Sequence, residues 1–130
     1  MEPLTVHAVK TIVLVEDDDV VRRFVSRVLE NEGYRVLGAS SGEEGLEILD
    51  KEEPDLLLTD VTLPGELSGL DLGRRALEGR GDLKLICMSG YGEADIADDL
   101  LSVAKDAAFI GKPFSPKDLL ETVNDLLSDY

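Results

Sequence analysis

The chain has 130 residues, 43% of them apolar, and 13 Lys and Arg stand against 28 Asp and Glu for a formal charge of −15. That length suits one domain around a single core, and the acidic balance repels nucleic-acid phosphates, leaving proteins or cations as partners. With no Trp, no apolar run of membrane-spanning length and no basic amphipathic segment, the sequence offers nothing that spans or coats a membrane.

Met1 to Lys10 lacks the charged and apolar regions of a secretory signal, so the expected compartment is the cytoplasm and residues 1–10 read as an N-terminal extension to a domain at 11–130. Thr11 to Val15 is a β-branched strand that ends abruptly in Glu16-Asp17-Asp18-Asp19. Val21, Phe24, Val25, Val28 and Leu29 then form one apolar stripe on a helix that Asp18 or Asp19 can cap and Gly33 closes.

Tyr34 to Ala39 reads as a second strand, less continuously apolar and so nearer a sheet edge. Ser41 and Glu44 make a capping box for a helix with Leu46, Ile48 and Leu49 inward, and Pro54 stops it. Leu56-Leu57-Leu58-Thr59-Asp60 suits a strand buried on both faces of a parallel sheet, with Asp60 at its C-terminal mouth, where ligands gather in such folds. After the loop from Val61 to Leu67, Ser68 caps a helix with Leu70, Ala76 and Leu77 inward, ended by Gly79 and Gly81.

Leu83 to Met88 is the fourth strand; its lone Cys87 reads as a buried structural thiol and excludes an internal disulfide. Ser89-Gly90-Tyr91-Gly92 is a turn, and Ile96, Leu100 and Val103 give a fourth, weakly capped helical stripe. Ala107 to Ile110 is a short fifth strand ahead of Gly111-Lys112-Pro113. Ser115-Pro116-x-Asp118 starts a fifth helix packing Leu119, Leu120, Val123, Leu126 and Leu127.

Strands alternating with helices through short connectors make an α/β fold, a parallel sheet with helices on both faces. Glu16, Asp17, Asp60, Ser89 and Lys112 then fall just past strand ends on one edge. Carboxylates about 4 Å apart repel by roughly 4 kcal/mol per pair at an effective dielectric near 20, so something positive must sit among them. Lys112 supplies one charge, and Mg²⁺, which takes a few carboxylates plus water and phosphate oxygens, suits the rest. A carboxylate so placed can attack phosphorus and become an aspartyl phosphate, and chain order alone leaves open which aspartate does so.

Val13-Leu14-Val15-Glu16-Asp17-Asp18, Leu58-Thr59-Asp60 with Leu63-Pro64-Gly65 and Ser68-Gly69, Met88-Ser89-Gly90-Tyr91, and Gly111-Lys112-Pro113-Phe114 resemble, in order across residues 11–128, the response-regulator receiver domains of two-component signalling. The resemblance implies a flavodoxin-like (βα)5 fold with strand order 2-1-3-4-5. It makes Asp60 the acceptor of a phosphoryl group from a histidine kinase or histidine phosphotransfer protein, with Asp17 a direct Mg²⁺ ligand, Glu16 holding the ion through water and the Thr62 carbonyl completing the set. Ser89 becomes the switch hydroxyl, Lys112 the phosphoryl-contacting cation, Phe109 and Tyr91 switch-region aromatics, and Lys112-Pro113 a cis peptide.

By the same resemblance the domain is no separate enzyme. It catalyses its own phosphotransfer and dephosphorylation, re-shapes the surface of its fourth helix, fifth strand and fifth helix, and is a monomer or a weak phosphorylation-dependent dimer. Three departures stand out: a loop from Asp60 to Gly69 one residue longer than the commonest form, Glu at 16 in place of Asp, and Phe at 109 without the frequent Tyr hydroxyl. Leu63 to Gly69 and Met88 to Gly92 look most like receivers attached to hybrid histidine kinases, which favours a domain of such a kinase over a free-standing regulator.

A rival from another class is a haloacid-dehalogenase-like phosphatase with Asp17 as nucleophile, since Asp17-x-Asp19-x-Val21 follows an apolar strand. It leaves no room for a cap, puts Asp98-Asp99 on a predicted helix and gives Asp60 no task. Another is a receiver-like fold that binds protein without accepting phosphate, against which stands the intact set of acids, hydroxyl and lysine. No P-loop is present, because Gly111-Lys112 lacks the upstream glycine. Whether Asp60 or Asp17 carries the phosphoryl group separates the two leading readings.

Overall fold

Val13, Leu14, Leu57 and Leu58 have no solvent contact, because their two strands lie in mid-sheet with helices over both faces. The computed structural model describes residues 9–90 and 107–128. Within them run β1 (Thr11–Val15), α1 (Asp19–Asn31), β2 (Arg35–Ala39), α2 (Gly42–Lys51), β3 (Leu56–Asp60), α3 (Gly69–Leu77), β4 (Lys84–Ser89), β5 (Ala108–Gly111) and a C-terminal helix, α4 (Pro116–Leu127). The five strands form one sheet in the order β2-β1-β3-β4-β5, every pairing parallel. The observed strands match the expected ones to within a residue at each end.

Strand alternation splits the core in two. Val13, Val15, Leu57, Leu85 and Cys87 face α2 and α3, where Leu49, Leu72 and Ala76 meet them. Ile12, Leu14, Leu56, Leu58, Ile86 and Met88 face α1 and α4, meeting Val25, Leu29, Leu119 and Val123. Each fully buried leucine contributes about 2 kcal/mol by its removal from water. The partly exposed β2 occupies one edge, as its weaker apolar pattern implied.

Asp18, Ser41, Ser68 and Ser115 cap the four described helices through their side-chain oxygens. At the end of α1, Gly33 takes φ +102°, its N–H bonds Glu30 O and the Tyr34 N–H bonds Leu29 O, a left-handed closure. Two expectations need correction. Phe24 is 45% exposed and not part of the inward stripe of α1, and beside it Val20 is 74% exposed. The buried face of α3 is Gly69, Leu72, Gly73 and Ala76, with Leu70 and Leu77 on its flanks. The expected fourth helix, carrying Ile96, Leu100 and Val103, lies outside the described residues, as does most of the N-terminal extension. No helix among the described residues is long and apolar enough to cross a membrane.

Candidate functional site

The parallel register aligns the C-terminal ends of four strands. Asp60 pairs in register with Met88, and Ser89 with Gly111. Beyond the strands the backbone stays tied: Glu16 N–H donates to Ala39 O at 3.0 Å, Val61 N–H to Met88 O at 3.0 Å and Lys112 N–H to Ser89 O at 2.8 Å. The Lys112–Pro113 peptide bond is cis. α3 begins directly beneath Asp60, where a Cβ on Gly69 would fall 1.9 Å from the Asp60 carbonyl oxygen, so only glycine admits this approach.

At this edge Lys112 Nζ donates to Asp60 Oδ2 at 2.8 Å and to Glu16 Oε1. The second Glu16 oxygen accepts the Asp18 N–H at 3.2 Å, and Asp60 Oδ1 accepts a long bond from the Thr62 N–H at 3.4 Å. Carboxylate oxygens of Glu16, Asp17 and Asp60 all lie within 4.8 Å of one another. Glu16 is 1% exposed and Asp60 9%, whereas Asp17 reaches into solvent. A cleft of about 410 Å³ is lined by Asp17, Asp60, Thr62, Ser89, Gly90 and Lys112.

The electrostatics follow from this burial. Desolvation pushes the Glu16 pKa above its ordinary 4.5 and Asp60 adds to the rise, against the lowering effect of Lys112 and the Asp18 N–H. Burial pulls on Lys112 in the direction of a lower pKa, but its hydrogen bonds to Asp60 and Glu16 outweigh that and hold it above 10.5. The ammonium therefore stays charged and shared between two acids. Cys87, behind Asp60 in the core, is pushed up to about 12 by burial and by the Asp60 charge, so it is an inert thiol at neutral pH.

Of the residues singled out in the sequence, Glu16, Asp17, Asp60, Thr62, Ser89 and Lys112 come together at this edge. Phe109 lies a strand-length step away in β5, half-buried against the α2–α3 side of the core. Tyr91 lies outside the described residues. Lys112 pairs with Asp60 and Glu16. One contact had not been anticipated: Arg22 on α1 donates through Nη1 to the Glu16 carbonyl at 2.7 Å and through Nη2 to Asp19. Its signal was the three-residue spacing from Asp19, which places both side chains on one helix face.

Residues 12–124 match the family described as the response regulator receiver domain. The response regulator receiver protein CpdR of Brucella abortus (strain 2308) is 37% identical over 118 residues, covering 91% of this chain and 97% of the relative. The sensor kinase CckA of the same strain is 42% identical over 119 residues, which is 90% of this chain but 12% of that kinase. Among solved structures, the receiver domain from hybrid histidine kinase CckA superposes with a TM-score of 0.77 at 34% identity, covering 91% of this chain and 99% of that one.

Proposed function

The chain belongs to the response regulator receiver domain family of two-component signalling, and from that membership we propose that Asp60 accepts a phosphoryl group from a phosphohistidine. An Asp60 carboxylate oxygen attacks phosphorus, the O–P bond forms as the N–P bond breaks, and the leaving imidazole nitrogen keeps the electron pair and is protonated. The single observation that carries this assignment is the 2.8 Å ion pair from Lys112 to Asp60 inside the acidic cluster. Lys112 shields the acid from its neighbours and stands ready to contact the transferred group. Ser89, lining the same cleft, donates its hydroxyl to a phosphoryl oxygen.

The donor set fits a hard divalent cation: three carboxylates within 4.8 Å, all oxygen, open to solvent at Asp17. Asp17, Asp60 and the Thr62 carbonyl would hold Mg²⁺, with Glu16 supporting the ion through water. When bound, the ion neutralises charge on the phosphoryl oxygens in transfer and in the domain's own dephosphorylation. Occupancy of Asp60 draws Ser89 inward and biases Phe109 and Tyr91, which shifts the surface around β5 and α4 by favouring one of two conformations.

Exposed Val20 and Phe24 on α1, in the turns that follow Glu16 and Asp17, offer the phosphohistidine donor an apolar patch to dock on. The domain spans 11–130, acts in the cytoplasm as a monomer or weak phosphorylation-dependent dimer, and has its kin in receivers of hybrid kinases, as the likeness to CckA supports. Acetyl phosphate with Mg²⁺, followed by peptide mapping, tests the central assignment. Label is expected on Asp60 and absent from Asp60→Asn. Label on Asp17 in the wild-type protein would promote the phosphatase reading in its place.

A further inference from the structure

We propose that Arg22 is a positioning residue that sets the direction of Asp17 and thereby tunes cation affinity at the acidic edge. The inference rests on the Mg²⁺ reading above. The Glu16 carbonyl and the Asp17 N–H belong to one planar peptide unit, so the 2.7 Å bond from Arg22 Nη1 to Glu16 O fixes the plane from which Asp17 departs. The second arm of the guanidinium pairs with Asp19, three residues back in the first turn of α1, and so holds the fork aimed at the Glu16 carbonyl. Two donors in a fixed fork make this a geometric clamp that a lysine cannot reproduce in full.

The fold also makes room for the clamp. The Arg22 stem crosses β2 at Gly38, where a Cβ would sit 3.5 Å from Arg22 Cδ. Alanine would fit there; the γ-methyls of valine would push the stem aside. Valine also suits an exposed edge strand, so Gly38→Val displaces Arg22 without weakening β2.

The sign of the effect separates positioning from charge. A nearby guanidinium repels a divalent cation, so if Arg22 acted only as a charge, removing it would tighten Mg²⁺ binding. Positioning predicts the reverse. Calorimetric Mg²⁺ titrations of wild type, Arg22→Met, Arg22→Lys and Gly38→Val, each checked for folding by circular dichroism, read this directly. Arg22→Met is expected to weaken Mg²⁺ about tenfold, in line with the loss of groups that orient metal ligands, with Arg22→Lys and Gly38→Val between it and wild type. Arg22→Met or Gly38→Val binding Mg²⁺ as tightly as wild type, or tighter, overturns the inference and leaves the metal site standing. If Arg22→Met does not fold, Gly38→Val decides alone. Wild-type protein that does not bind Mg²⁺ overturns both.

Discussion

Replacing Lys112 by Met keeps the aliphatic stem and deletes the ammonium, leaving Glu16, Asp17 and Asp60 with no cation among them. Oxygens within 4.8 Å of one another at an effective dielectric near 20 repel by at least about 3.5 kcal/mol per pair, and the 2.8 Å attraction to Asp60 that is lost is about 6 kcal/mol on the same scale. Those are gross terms. Breaking a buried pair by removing one partner costs about 3–5 kcal/mol, and a Lys112 side chain 25% exposed to solvent reduces that to about 2–3 kcal/mol. Urea unfolding in EDTA at neutral pH should show that loss, a large share of a domain's total stability.

The difference between wild type and variant should itself depend on pH. Because the folded-state pKa of Lys112 is raised above 10.5, its contribution is complete below that pH and disappears as the pH climbs through the raised value. On the acid side, Glu16, raised above 4.5 by burial, takes up a proton in the folded state before the unfolded chain does, so repulsion eases and the difference narrows as the pH falls toward 4.5. Added Mg²⁺ should stabilise Lys112→Met more than wild type, since the ion no longer competes with an ammonium. A variant as stable as wild type in EDTA, or one that Mg²⁺ stabilises less, would refute this account of the site.

Gly69→Ala should cost about 3 kcal/mol or more, because its Cβ must displace the backbone at Asp60, 1.9 Å away; a urea midpoint unchanged from wild type would show that α3 can slide without cost. The Val20→Ala, Phe24→Ala double variant should slow phosphoryl transfer from a cognate phosphorylated kinase about tenfold, with little effect on labelling by acetyl phosphate. Equal slowing with both donors would move the defect from docking to the cleft itself.

Why some of this was legible in the sequence and some was not follows from particular residues. β1 and β3 were plain because strands buried on both faces must be apolar throughout, and four side-chain caps announced themselves as Asp or Ser just ahead of a helical pattern. Phe24 misled because periodicity marks a stripe without its width. At 3.6 residues per turn it lies roughly 85° from the mean direction of Val21, Val25, Val28 and Leu29, on the flank of the helix. In α3 the large leucines drew attention from a buried face made mostly of small residues. Gly69 meets Asp60 and Gly73 meets Leu85, so the helix packs closely there, and the fully buried Leu72 is the one bulky residue on its inner side.

The gathering of acids and lysine was legible because chain order and parallel topology put successive strand ends on one edge. The pairing within it was not, since Glu16 and Lys112 are 96 residues apart and their contact depends on side-chain reach. Glutamate is one methylene longer than aspartate. Here that length lets the Glu16 carboxylate meet the ammonium directly while its other oxygen accepts the Asp18 N–H.

A single ammonium cannot neutralise three carboxylates, so this edge carries an electrostatic cost of several kcal/mol that the rest of the molecule must offset. The offset lies directly beneath it. Asp60 stands on Leu56, Leu57 and Leu58, Glu16 on Ile12 to Val15, and Ser89 on Leu85 to Met88, strands whose apolar side chains have almost no solvent contact. Placing the conflict at the strand ends keeps it next to solvent, where a cation can enter, while the backbones of Asp60 in β3 and of Glu16, bonded to Ala39 of β2, remain part of the most firmly held structure in the domain. A loop-borne acid could relax away from its neighbours and lose its affinity for an incoming charge. A strand-borne acid cannot, and the unrelieved repulsion becomes binding free energy for a cation that relieves it.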